Sequence, residues 1–120
     1  KIIPEDVAIV RVHGPFLFGA TDKLTDVLDA VDTLPAYVIV RLRNMTAVDA
    51  TGLEALGEFA DKIRASGRTA IFCGARRQPG AAMERAGLAE RVGRENFCPH
   101  VAAALGRAAA LRKAKTIDAY

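Results

Sequence analysis

"YVIVRLRNMTAVDATGLEAL", Tyr37 to Leu56, is the stretch that decides the fold. It opens with Tyr37 to Leu42, a β-branched apolar run that reads as a buried strand. From Leu53 onward the period changes. Leu53, Leu56, Phe59, Ala60 and Ile63 fall on one face of a helix, and Glu54, Glu58, Asp61, Lys62 and Arg64 fall on the others. Between strand and helix lies a polar turn holding Asp49-Ala50-Thr51-Gly52. Asp49 or Thr51 caps the helix by accepting from free backbone N–H groups. Gly52 lets the backbone turn tightly or pack closely.

The same alternation extends in both directions. Upstream, Val7 to Val12 reads as a strand, Gly14-Pro15 as a turn, and Phe16 to Gly19 as a short second strand in a hairpin with the first. Thr21 or Asp22 is a helix N-cap, followed by Leu24, Val27, Leu28, Val31 and Leu34 at helical spacing, and Pro35 is the stop. Downstream, Ser66-Gly67 ends the second helix and Thr69 to Gly74 is a further strand. A short helix near Pro79 ends at Gly87, "ENFC" is a short last strand, and a helix follows Pro99. Strands alternating with helices imply right-handed βαβ units around a mainly parallel sheet, with an N-terminal antiparallel hairpin and about four helices. Residues 1–120 form a single domain, in which 1–6 read as a linker and 113–120 as a frayed tail.

Composition narrows the function classes. The chain carries 17 Lys and Arg against 14 Asp and Glu, a net charge of +3 with no basic stripe, which argues against nucleic acid as a partner. Aromatic content is 6% and Trp is absent, so sugar-stacking or base-stacking surfaces are disfavoured. Cys73 and Cys98 lack CxxC spacing and read as reduced thiols. No apolar run reaches the length of a bilayer span.

The chemistry-bearing residues do not assemble into an enzyme. His13 and His100 have no sequence neighbour that makes either a general base or a metal ligand, and a lone histidine is usually structural. Glycine-rich phosphate fingerprints are absent, so no cofactor and no metal is expected. This leaves the Asp49-Ala50-Thr51-Gly52 turn. It follows a strand, at the sheet edge where open α/β folds place their sites, and offers an accessible hydroxyl near a helix N-terminus.

Read as a unit, the opening stretch resembles the signature of the STAS domain, the family of sulfate transporters and anti-sigma factor antagonists. In that family an apolar strand and a polar turn precede Asp-Ser-Ser-Gly-Leu or Asp-Ala-Thr-Gly-Leu at a helix start, matching Asp49, Ala50, Thr51, Gly52 and Leu53. The resemblance covers nearly the whole chain and implies the STAS fold. In the antagonists the second hydroxyl residue is phosphorylated, and this position maps onto Thr51. In SulP-type anion transporters the domain lies cytoplasmically after the membrane-spanning part.

Three features resemble the transporter branch more closely. "HGPFLFGATDKL" is similar to an apolar transporter segment, which marks Phe16, Leu17 and Phe18 as part core, part contact surface. Arg41, with Arg43 nearby, stands where antagonists usually carry Asp. "KIIPED" reads as a linker after an upstream part. The resemblance therefore implies a non-enzymatic regulatory domain of a sulfate, bicarbonate or dicarboxylate transporter, at the cytoplasmic face of the cell membrane. Its implied partners are the transmembrane domain, a second protomer or a soluble protein. The alternatives are a free-standing anti-sigma factor antagonist switched at Thr51, and a small-ligand module near Thr51 and Gly52.

Overall fold

A computed structural model of the chain describes residues 2–17 and 22–118. Four strands, β1 (Val7–Phe16), β2 (Tyr37–Val48), β3 (Thr69–Cys73) and β4 (Phe97–Cys98), pair in parallel in the order β1-β2-β3-β4. Helix α1 (Asp22–Asp29) links β1 to β2, and α2 (Ala50–Ala65) links β2 to β3. Helices α3 (Arg77–Arg85) and α4 (Leu88–Val92) together link β3 to β4, and α5 (Val101–Asp118) follows β4.

Because each crossover returns to the neighbouring strand with one hand, the connecting helices collect on one face of the sheet. Side-chain alternation along the strands then divides the core in two. Val10, Val12, Val38, Val40, Leu42 and Phe72 pack with Leu24 of α1, Leu56, Phe59 and Ile63 of α2, Met83 of α3 and Leu88 of α4. On the other face Val7, Tyr37, Ile39, Ile71 and Cys73 meet α5. Ala104 and Ala108, one turn apart and fully buried, let α5 lie close on the sheet.

Several sequence expectations are corrected. Among the described residues there is no antiparallel hairpin. Gly14-Pro15 is not a turn but lies inside β1, where Pro15 pairs with Ala47 and Phe16 with Val48, both parallel. β1 is an outer strand, and there a proline's missing N–H and the positive φ of Gly14 are tolerated. Phe18, Gly19 and the N-cap candidate Thr21 lie outside the described residues.

The polar stretch after Leu42 is also strand. β2 runs on to Val48 with irregularities opposite Arg11–His13 and Gly14–Pro15, where it carries residues in excess over β1. The helix near Pro79 ends at Gly87 as expected, where the chain turns left-handed, but a further short helix, α4, begins directly after it. α5 continues to Asp118 through residues read as a tail. Its Arg112 holds Asp6, in the stretch read as a linker, through paired hydrogen bonds, one of 2.7 Å, and lies 6.0 Å from the Tyr37 ring centroid.

Candidate functional site

The Asp49 turn is built by close approach of three chain segments. Asp49 has extended backbone and is the cap of α2: its Oδ1 accepts from Gly52 N at 2.8 Å, and its carbonyl accepts from Leu53 N at 2.9 Å. This resolves the capping choice in favour of Asp49 over Thr51. Gly52 is buried for a steric reason. A Cβ on it would lie 2.4 Å from the Phe16 carbonyl oxygen and 2.8 Å from Val48 Cγ2. The ends of β1 and β2 therefore press directly on the α2 backbone. Gln78 of α3 braces this junction, accepting from Val48 N through its side-chain oxygen at 3.3 Å.

Phe16 is accordingly core, 2% exposed, and belongs to the core part of the Phe16–Phe18 segment. Leu17, the next residue, is 40% exposed. Leu53 is half-buried against the core, whereas Ala50 and Thr51 face outward. Thr51 lines an open groove of about 440 Å³ with Ala50, Glu54, Ala55 and Glu58. A phosphate on Thr51 would gain from the helix N-terminus but would meet these two carboxylates, effects of similar size and opposite sign.

Arg41 and Arg43 are not beside this turn. β2 continues past them, and alternation turns Arg41, like Tyr37 and Ile39, toward the α5 side of the sheet. There Arg41 and Arg43 line a cleft of about 290 Å³ with Cys73, Gly74, Pro99, His100 and Val101. His100 caps α5, its Nδ1 accepting from Ala103 N at 3.1 Å. His13 lies elsewhere, paired through Nδ1 with the Asn44 side chain at 3.4 Å.

Cys73 and Cys98 are paired in register on β3 and β4, and both are free thiols. Burial pushes Cys73 up to about 11 and raises Cys98, so neither is an activated nucleophile. Among the described residues no set of three or more His, Cys, Asp or Glu gathers as a metal site.

One polar constellation escaped the sequence reading. Arg91 of α4 lies over α2, bonded to Asp61 at 2.8 Å and Glu54 at 3.4 Å. Gly57 makes the notch, since a Cβ there would lie 2.2 Å from Arg91 Nη1. A glycine in mid-helix, costly in propensity, was the available signal.

The parallel sheet, the Asp49-capped helix and the Gly52 close approach define a STAS-type α/β domain. Residues 1–104 match the STAS domain family, and the chain belongs to that family. A sulfate transporter family protein from Wolinella succinogenes superposes with a TM-score of 0.85 at 34% identity, covering 94% of this chain and 93% of that one. The STAS domain of a SulP transporter from Vibrio cholerae gives a TM-score of 0.81 at 26% identity, covering 94% and 88%. The putative sulfate transporter YvdB of Bacillus subtilis is 24% identical over 95 residues, 78% of this chain. The chain spans only 18% of that relative's length. No helix among the described residues is long and apolar enough to cross a membrane.

Proposed function

We propose that this domain is the cytoplasmic regulatory part of a SulP-type anion transporter, joined through residues 1–6 to a membrane-spanning part. The observation that carries the reading is the 34% identity with a sulfate transporter family protein over nearly the full length of both chains. The domain acts by contact and not by catalysis. Its partners are the transmembrane part of the same protein, a second protomer or a soluble protein. The exposed Leu17, next to the β1–α2 junction, supplies an apolar contact beside the rigid Gly52 packing. Sulfate, bicarbonate or dicarboxylate would bind the membrane part.

The reading is tested in the intact transporter. Deleting this domain should lower anion uptake while membrane insertion persists, and Leu17→Cys should crosslink to the membrane part. A reading frame that encodes this domain alone would overturn it. A second reading, an antagonist switched at Thr51, draws support from the exposed position of Thr51 at the start of α2. Stoichiometric phosphorylation of Thr51 by an anti-sigma kinase with ATP, releasing a partner, would favour that reading over the first.

A further inference from the structure

We propose that the cleft between the β2–β3 edge and the start of α5 binds a tetrahedral oxyanion, a sulfuryl or phosphoryl group, through Arg41, Arg43 and His100. The cleft lies beyond the carboxyl ends of β3 and β4, the position where open parallel sheets hold ligands. It forms because β3 stops at Cys73 while β2 continues. Gly74, at φ +78, turns the chain aside, and a Cβ there would meet Arg43 N and Cβ at 3.5 Å.

The charge of this cleft is uncompensated. None of its lining residues is acidic. Among the described residues neither Arg41 nor Arg43 has a carboxylate partner, whereas Arg64, Arg91, Arg94 and Arg112 each do. Cys73 at the floor stays a neutral thiol and offers no compensation. Arg76 adds a further guanidinium nearby, its Nε donating to the Arg43 carbonyl at 2.6 Å.

The donors suit an oxyanion. Guanidinium forks match paired oxygens of tetrahedral anions. His100 uses Nδ1 as an acceptor in capping α5, so the neutral ring carries its proton on Nε2 and can donate there. Among the described residues the cap leaves the N–H groups of Val101 and Ala102 unclaimed. They add to the guanidinium charge at the positive end of an 18-residue helix. No Phe, Tyr or Trp side chain lines the cleft, so a nucleobase lacks the broad stacking platform of a base-binding site.

This site lies on the sheet face opposite α2 and goes beyond the transporter reading; either can fail without the other. The same chemistry could arrive as a free ion or as a lipid phosphodiester, and two arms of one experiment separate them. In the first, the ¹⁵N-labelled chain is titrated with sodium sulfate and with sodium phosphate, ionic strength being held constant with sodium chloride. The expected result is saturable shifts at Gly74, Val101, Ala102 and Ala103. Arg43→Gln, at an exposed position that leaves the fold intact, should weaken binding at least about tenfold. Arg85→Gln, which removes the same charge on α3, should not. In the second arm the chain is sedimented with phosphatidylglycerol or phosphatidylcholine vesicles. Binding to phosphatidylglycerol alone, lost in Arg43→Gln and kept in Arg85→Gln, assigns the group to a lipid headgroup. Linear, non-saturating drift in the first arm together with no such binding in the second overturns the site. ATP binding more tightly than inorganic tripolyphosphate would overturn the assignment to the oxyanion alone.

Discussion

Gly52 and Asp49 divide the work of one turn. Gly52 provides the absence of a side chain, since nothing in its backbone requires a left-handed conformation. Gly52→Ala therefore pushes a methyl into the Phe16 carbonyl and Val48. We expect a loss of about 1–3 kcal/mol in urea unfolding, the usual range for overpacking. Asp49→Ala should cost about 1 kcal/mol, the ordinary worth of an N-cap. Thr51 is different. It is exposed, and the helix N-terminus and Glu54 act on an added negative charge in opposite directions. Thr51→Glu should leave stability within about 0.5 kcal/mol of the parent, measured by the same unfolding. A larger loss would mean that Thr51 is structural. The sequence displayed Asp49 plainly, because capping is local. It left open whether Gly52 turned or packed, because its clash partner Phe16 lies on another strand. Arg91 was hidden for the same reason: its notch at Gly57 and its partner Asp61 belong to a different helix.

Among the elements, β2 shows most clearly where periodicity stops informing. Tyr37 to Leu42 announced itself by its apolar run, yet Arg43 to Val48 read as a polar turn. The cause is the excess residues opposite β1, which break strict alternation: Arg43 and Asn44 are both exposed, and Met45 then returns to the core. Met45 is fully buried. Met45→Ala should accordingly cost about 2–5 kcal/mol, as for other core truncations, whereas the exposed neighbour Thr46→Ala should be nearly silent. Equal and small effects of the two in urea midpoints would mean that this segment is a loop. The same extension places Arg41 and Arg43 away from Thr51. These arginines lie close to the turn in sequence, whereas strand geometry assigns them to the α5 face. The N-terminal hairpin expected from Gly14-Pro15 does not form for a related reason: Gly-Pro is a strong turn signal, but an outer strand can absorb it.

At the scale of the molecule, the two faces of the sheet are held by different means. The α1–α4 face has a broad apolar core, while α5 covers the other with small alanines and is tied at its far end by Arg112 to Asp6. A hydrogen bond from Arg112 holds the Asp6 carboxyl below its ordinary value, and a hydrogen bond from Arg91 does the same for Asp61. A carboxylate with a depressed folded value contributes stability that is present above its unfolded value, about 3.9, and is lost as pH falls through the folded one. The melting temperature should therefore hold from neutral pH to about 5 and fall at lower pH as these two carboxylates are protonated. Asp6→Asn removes one of them. It should melt lower than the parent at pH 6, and the gap should narrow toward pH 3. Both side chains of the Asp6–Arg112 pair are a third or more exposed, so solvent screens them and the gap is small. Raising sodium chloride at pH 6 should narrow it further. A gap that persists unchanged at pH 3 would mean that Asp6 acts through packing and not through charge, and that α5 is held on the sheet by its alanine face alone.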